Sequence, residues 1–499
     1  MKNLFIVLLA IFAFASCTDL EEELREDLSE AATPDPAAQL VASYDAMRGP
    51  YQDQALVWAS QEHTSDECLG PTRGPDWDDN GVWRVLHNHT WDADHQFLAN
   101  TFSQLLQVVF FTSDMLKNNP TPQQAAEARF LRAYVVWTVF DGWGQVPFRR
   151  DGTSLLEDAE VLTGEVAIDF ILTELDEIMN DLPDGPTNKA NKDAAKVLKM
   201  KVLLNRGMYL NRENPSFDSG DLNEVASLAD QIIGSGKYSL ATNYFDNFAP
   251  NNDQISTENI WTAENIGGSN SGNVRSRWYC TLHYNQNPSG WNGFATLGDF
   301  YASFDESDIR RGSEYEGMTE VSGVTAGFLA GQQFDAAGKA LEDRKGNPLS
   351  FTPEVSLTER NDNLEVTGVR VIKYPIDYAG GDNANNDYVY YRYADVMLMK
   401  AEAALRTGDD ATALDIVNQI RTIRGTDELS SINEDALLAE RGRELYWEGH
   451  RRTDLLRFGK FLDAWEEKPA SGSERLLFPI PAPSLASNPN LMQNPGYGN

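Results

Sequence analysis

The chain has 499 residues, of which 76 are acidic and 41 are basic, so its formal net charge is -35 at pH 7. A field of this sign repels polyphosphate, which excludes broad binding to nucleic acid or to anionic membrane surfaces. Apolar residues make up 41% of the chain, which is ordinary for a globular protein, and no long low-complexity linker divides it. We therefore expect one large folded body.

The first residues, MKNLFIVLLAIFAFAS, have the features of an export signal: an early lysine, a short apolar run and small residues just before Cys17. This arrangement is similar to the bacterial lipoprotein signal, in which the cysteine is acylated. We expect residues 1–16 to be cleaved and Cys17 to be lipidated, with an ordinary cleaved signal as the alternative. Several acyl chains would anchor the protein to a membrane that it does not cross.

Residues 17–35 are acidic and poor in aromatics, which is typical of a solvated tether, so the folded body is expected over residues 36–499. Cys68 and Cys280 remain in that body, in an oxidising compartment. The sequence leaves open whether they form a disulfide, because their separation along the chain says nothing about their distance in space.

The stretch PTRGPDWDDNGVWRVLHNHTW, Pro71 to Trp91, places three tryptophans among residues that oppose a regular helix in its first half. A loop of this kind either buries its rings in a local core or presents them to a ligand. Trp83 and Trp91, on the more apolar side, are expected to be buried. Trp77 is instead expected to be presented to a ligand.

The same loop contains residues that resemble two kinds of metal site. DWDDNG matches the opening of a calcium loop through Asp76, Asp78 and Asn80, but His87 stands where the loop needs a bidentate glutamate. His87, with the two other histidines that follow it before residue 96, lacks a further nearby ligand for zinc. We therefore expect no cofactor, with Ca²⁺ kept as a minor alternative.

Apolar residues recur at helical spacing over residues of about 95–236 and again over about 388–465. Segments of about 60–92 and 239–387 are instead rich in glycine, asparagine and aromatics and are expected to be looped. Tyr391 to Arg424 has the length of one tetratricopeptide unit and its pattern of small residues around a turn. The pattern predicts a mainly α fold of stacked helix pairs with a large irregular half.

Four segments in this order, behind the lipoprotein-like signal, resemble the SusD/RagB outer-membrane lipoproteins of Bacteroidota. They are EARFLRAYVVWTVFDGWGQVPF, the tetratricopeptide-like unit, ERGRELYWEGHRRTDLLRFGKF and LFPIPAPSLASNPNLMQNPGY. In the third segment, Glu440, Arg441, Glu444, Glu448 and Arg451 lie three or four residues apart and are expected to pair along one covered helix. The last segment is expected to be a rigid tail that wraps the body.

The resemblance implies a SusD-like α-α superhelix that is lipid-anchored on the outer membrane and faces the exterior. It implies a protein that binds oligo- or polysaccharide, caps a SusC-like TonB-dependent transporter and is not an enzyme. The alternatives are a tetratricopeptide-type scaffold that binds only protein, and a lid for peptide cargo. No catalytic motif for hydrolysis or phosphoryl transfer stands out in the sequence.

Glycans offer apolar C–H faces and rings of hydroxyls, so their sites need aromatic platforms beside polar side chains. The family takes its ligand residues from two looped regions, which correspond here to the tryptophan loop and to RSRWYCTLHYNQNPSGWNGF. The candidate ligand residues are Trp77, Trp291, Trp278, Arg73, Asp76, Asp78, Asn80, Tyr284 and Asn292. Arg73, Arg275 and Arg277 could add a local positive patch, although the overall charge favours a neutral glycan.

Overall fold

The structure is a computed structural model that describes residues 34–150, 153–154, 156–269, 272–360 and 362–498. The predicted signal peptide, Cys17 and most of the predicted tether lie outside the described residues. Pro36–Asn499 forms one compact unit. Across the part of the chain that is described, we find no helix that is both long enough and apolar enough to span a bilayer.

The first half of this body is a stack of antiparallel helices. Its helices are α1 Pro36–Gln52, α2 Val57–Glu62, α3 Val82–His87, α4 Gln96–Met115, α5 Pro122–Trp143, α6 Gly164–Ile178, α7 Lys192–Leu210 and α8 Ser219–Gly234, and its short strands are β1 Thr72–Arg73, β2 Gln145–Phe148 and β3 Glu160–Thr163. Helices α4 to α8 each pack on the next, and α1 packs on α4. The ends of α5 are set by a capping box at Thr121 and by left-handed Gly144.

The second part is looped, with short helices and small sheets. Its helices are α9 Asn252–Ile255, α10 Ser276–Tyr279, α11 Gly298–Ala302 and α12 Thr319–Ser322, and its strands are β4 Asn259–Ala263, β5 Gly312–Ser313, β6 Ala326–Leu329, β7 Gly331–Gln332, β8 Ser350–Phe351, β9 Thr358–Glu359, β10 Arg370–Ile372 and β11 Tyr388–Arg392. Strands β10, β6 and β5 form an antiparallel sheet, while β11 pairs with β4, β7 with β8, and β2 with β3, all antiparallel. Strand β1 of the tryptophan loop pairs in parallel with β9. This pairing fixes that loop to the looped half.

The chain then returns to helices: α13 Tyr393–Arg406, α14 Asp410–Ile423, α15 Glu434–Leu445, α16 Arg451–Arg457 and α17 Ala482–Ser487. Helix α13 packs against α8, α14 and α15, which continues the stack of the first half. Between α13 and α14 the turn uses left-handed Gly408, and the Asp409 side chain accepts a hydrogen bond from the Thr412 amide. The predicted fold class, a mainly α superhelix of helix pairs with an irregular looped half, is confirmed.

A buried ionic network joins the two halves. Glu444 of α15 accepts hydrogen bonds from Arg310 at 3.0 Å, from Arg392 at 2.7 Å and from Arg424 at 2.8 Å, and all four side chains are at most 1% exposed. Arg392 and Arg424 also bind Glu258. The acidic and basic residues of the α15 segment are internal ties, as expected, but their main partners lie on other elements instead of along one helix.

The C-terminal tail lies against the stack. Asn494 donates from Nδ2 to the carbonyls of Trp143 and Phe478 at 2.8 and 2.7 Å, and the indole of buried Trp91 donates to the Tyr497 hydroxyl at 2.6 Å. Trp91 is therefore part of the core that the tail covers. Trp83 is also buried.

Candidate functional site

Three aromatic side chains form a partly exposed strip on the looped half. The ring centroids of Trp77 and Trp291 lie 6.4 Å apart, and those of Trp291 and Tyr279 lie 5.8 Å apart. Trp291 is 42% exposed, whereas Trp77 and Tyr279 are half-buried. We call these three residues the aromatic strip. Large rings left open to solvent in a row, while most large aromatics of this chain are buried, mark a candidate binding surface.

The Trp77 ring is held from several sides. Its indole N–H donates to the Trp291 carbonyl at 2.7 Å, and its ring contacts Phe294 with centroids 4.9 Å apart. The backbone at Trp77 has a φ of 60°, in the left-handed region that residues other than glycine rarely adopt. Gly293 lies beneath the ring, where an added Cβ would come within 2.3 Å of Trp77 Cε2. The ring is thus fixed before any ligand arrives.

The loop that carries Trp291 is fixed by its backbone. The Trp291 amide donates to the Tyr279 carbonyl at 2.7 Å, and the Asn292 amide donates to the Leu282 carbonyl at 2.8 Å. Asn292 is left-handed, with a φ of 51°, and its side-chain oxygen accepts a hydrogen bond from Arg370 at 2.9 Å. Because the loop is anchored on both sides of Trp291, the strip has little conformational entropy to lose on binding.

A polar rim follows the Trp77 side of the strip. The Tyr284 hydroxyl donates to Asp76 at 2.8 Å, and the Arg344 guanidinium lies 3.9 Å from the centre of the Tyr284 ring while it pairs with Glu365 at 2.7 Å. Burial raises the pKa of Tyr284 to about 12, and its hydrogen bond to Asp76 adds to the shift, so the phenol stays a donor at neutral pH. This rim offers carboxylate and guanidinium groups to a polar ligand.

At the other end of the strip, Arg275 lies over the Tyr279 ring, with its guanidinium carbon 5.0 Å from the ring centre, and pairs with Asp382. Near Trp77, Asp78 is exposed and pairs with Arg84 at 2.9 Å. Asn80 is exposed beside it. The three arginines described around the strip, Arg84, Arg275 and Arg344, are therefore each paired with a carboxylate.

Three of the predicted ligand residues are buried, and their role is structural instead. Arg73 is 1% exposed and donates to the carbonyls of Leu364 and Thr367. Trp278 is 1% exposed and belongs to the core, and Asn292 is 1% exposed and accepts from Arg370. At 1% exposure each, these three side chains are not open to a ligand in this structure, which does not support the predicted contact.

The predicted positive patch is also corrected. Arg277 is 1% exposed and stacks on Trp58, with its guanidinium carbon 4.3 Å from the ring centre. With Arg73 buried as well, only Arg275 of the three predicted arginines reaches the surface, and it is paired. The other six candidates, Trp77, Trp291, Asp76, Asp78, Asn80 and Tyr284, lie on or beside the strip and stay predictions.

The metal alternatives concern the same loop. Asp76 and Asp78 are engaged by Tyr284 and Arg84, and each ring nitrogen of His87 lies within hydrogen-bond distance of a backbone carbonyl. Within the described ranges, no group of three or more His, Cys, Asp or Glu side chains is arranged to hold a metal ion. Calcium binding stays a prediction that the structure does not support. Cys68 and Cys280 are buried free thiols.

Sequence reasoning selected Trp278 where the structure presents its neighbour Tyr279. Both lie on helix α10, and adjacent helical residues point about 100° apart, so one faces the core while the next faces out. The helix is too short for periodicity to tell the two apart. Arg344 and Asp382 were missed because they come from distant loops that carry no local signal.

The sequence and the fold of this chain are similar to those of known proteins. A model described as the SusD family matches residues 228–473. Starch-binding protein SusD of Bacteroides thetaiotaomicron is 26% identical over 483 aligned residues, which cover 87% of this chain and 84% of the relative.

Solved structures agree with the sequence comparison. A SusD superfamily protein from Parabacteroides distasonis has a TM-score of 0.71 at 20% identity, covering 93% of this chain and 98% of that chain. Surface glycan-binding protein A from Bacteroides thetaiotaomicron, in complex with laminarihexaose, has a TM-score of 0.68 at 18% identity, covering 92% and 98%. The chain is thus similar in sequence to the SusD family over residues 228–473, and it shares the fold of these SusD superfamily structures.

Proposed function

We propose that this protein binds an oligo- or polysaccharide on the aromatic strip, without catalysis, and passes it to a SusC-like TonB-dependent transporter at the cell surface. The observation that carries the proposal is the strip itself: Trp77 and Trp291, fixed by the fold and open to solvent, 6.4 Å apart. A flat ring can stack on the apolar face of a sugar, as it does on a nucleobase, where each stacked ring contributes about 1 to 3 kcal/mol.

The rim complements the strip. Sugar hydroxyls both donate and accept hydrogen bonds, and Asp76, Tyr284 and Arg344 provide acceptors and donors within one small area. Because these side chains already hold each other in place, a glycan does not have to order them. The rim carries carboxylates, and its guanidinium group is already paired with one of them. This charge distribution favours a neutral glycan over a polyanionic one.

The relatives support the class of ligand. One is named as a starch-binding protein, and one neighbour was solved with laminarihexaose. The names of these two proteins describe binding, which supports a role without catalysis. Membrane anchoring through Cys17 and delivery to a transporter rest on the sequence resemblance, and they belong to this proposal.

The test is affinity electrophoresis of the chain from residue 18 onward through gels that contain starch, laminarin or an acidic polysaccharide. We expect one neutral polymer to retard the protein, Trp291→Ala to abolish the retardation and Phe110→Ala to leave it unchanged. Phe110 is a suitable control because it is 50% exposed and lies on α4 of the helical stack. If no polysaccharide in a broad panel retards the protein, the scaffold that binds only protein becomes the better account.

A further inference from the structure

A second open cleft lies on the looped half, outside the aromatic strip. It has a volume of about 600 Å³ and is lined by two half-buried tyrosines, Tyr315 and Tyr378, together with Asn251, Ile255 and Glu316. Sites for small ligands typically occupy about 300 to 1,000 Å³ and combine apolar walls with a few polar groups. The cleft has the size and the lining of a binding site.

The cleft adjoins the aromatic strip through one loop, residues 377–385. At the start of this loop, the Tyr378 hydroxyl donates to the Asn287 carbonyl at 2.7 Å, four residues before Trp291. Further along, Asp382 pairs with Arg275, which covers Tyr279 of the strip. Four residues span at most about 14 Å, so the cleft begins within a short distance of Trp291.

Hydrogen bonds to Asp377 tie together the two ends of the loop that joins the two surfaces. Asp377 accepts hydrogen bonds from the amides of Ala379 and Gly380 at 2.9 Å and from the Asn385 amide at 2.7 Å. Tyr315 on the far wall is fixed as well, because its hydroxyl donates to Asp246 at 2.9 Å. Both tyrosine rings are therefore held in place like the rings of the strip.

We propose that this cleft is a second glycan subsite, which takes a further stretch of the same neutral polysaccharide chain that stacks on the aromatic strip. The inference rests on the proposed function and extends it: the protein would recognise the interior of a long chain instead of a single terminal unit. Two linked subsites on one chain raise the apparent affinity for a polymer above that for a short oligosaccharide.

The charges of the cleft set the chemical class of its ligand. Asp246, Glu316 and Asp377 are acidic, and no lysine or arginine is among the described residues that line it. Glu316 and Asn251 make no side-chain hydrogen bond within the described part of the chain, so both are open to sugar hydroxyls. Uronic acids and sulfated sugars would meet like charge here, so the ligand is a neutral glycan.

Isothermal titration calorimetry with two lengths of ligand tests the subsite: laminaritriose against laminarin, and maltotriose against amylose. For the series that binds, we expect the polymer to bind more tightly than the trimer. Tyr315→Ala should weaken polymer binding by about fivefold or more, which corresponds to the lower end of about 1 kcal/mol for one stacked ring. The same change should leave trimer binding on the strip unaltered.

Two variants serve as controls. Tyr315→Phe keeps the ring and should bind the polymer like the wild type, which separates loss of the ring from loss of the bond to Asp246. Tyr238→Ala removes another half-buried tyrosine whose hydroxyl donates to an aspartate, Asp193, at 3.2 Å on the helical stack, and it should change neither affinity. Tyr378 is left intact because it braces the loop of Trp291.

The outcomes distinguish failure of the second subsite from failure of the glycan-binding function on which it rests. If Trp291→Ala weakens binding of both lengths but Tyr315→Ala leaves polymer binding unchanged, the second subsite is refuted and the glycan-binding function stands. If polymer and trimer bind equally tightly, the subsite is refuted as well. If Trp291→Ala binds like the wild type, the proposed function fails and the subsite fails with it.

Discussion

Replacing Gly293 by alanine should disable the aromatic strip without removing any aromatic side chain. The added Cβ would lie 2.3 Å from Trp77 Cε2 and 2.4 Å from Cζ2, whereas two carbon atoms in contact prefer about 3.5 to 4.0 Å. The ring must therefore shift by more than about 1 Å. That shift also breaks the hydrogen bond from the Trp77 indole to the Trp291 carbonyl.

The loss of binding free energy should resemble that of one stacking ring, about 1 to 3 kcal/mol. This corresponds to a dissociation constant for the glycan that is roughly 5- to 150-fold larger. The backbone tolerates the change, since Gly293 is not among the residues with a positive φ. Calorimetry with the polysaccharide that retards the wild type measures the loss, and thermal unfolding shows whether the fold is retained.

Gly234→Ala is the matched control, because an added Cβ on this α8 residue meets no atom within 4 Å. It should leave glycan affinity unchanged. The reasoning is refuted if Gly293→Ala binds the glycan as tightly as the wild type while Trp77→Ala does not, since the position of the ring would then be irrelevant.

Three further predictions concern stability and selectivity. Glu444→Gln should cost about 3 to 5 kcal/mol in urea denaturation, because it leaves the buried charges of Arg392 and Arg424 short of a partner. Burial alone would raise the pKa of Glu440, but nearby positive charge, above all that of Arg310, lowers this pKa from 4.5 to about 2. The stability from Glu440 is therefore present above about pH 4.5 and lost as the pH falls toward 2, and Glu440→Gln should flatten that part of the stability profile. Alginate and sulfated polysaccharides should not retard the protein in affinity gels, and retardation by them would contradict the preference for neutral glycans.

Helical periodicity predicted the stack well, because α4 buries one side over many turns and because α4, α5 and α7 each begin at a residue whose side chain caps the first turn. The looped half could be recognised only by composition. Its short strands pair across long separations, such as β1 with β9, and such pairings leave no mark in the local sequence.

The candidate site could be predicted only in part for the same reason: its contacts join distant parts of the chain. Trp77 and Trp291 could be named as aromatic residues in polar loops, but the sequence could not show that they lie side by side. Arg73 reads as a surface residue until the carbonyls that it binds, 291 and 294 residues further along the chain, enclose it. Burial of a loop residue depends on such distant partners, which a single sequence does not reveal.

The most direct test of the account is a crystal structure of the protein with the longest oligosaccharide that it binds. We predict sugar rings stacked on the faces of Trp77 and Trp291, with carbon–carbon contacts of about 3.5 to 4.0 Å and hydroxyls in reach of Asp76 and Arg344. A glycan bound elsewhere on the protein, with both tryptophan faces left open to solvent, would contradict the central claim.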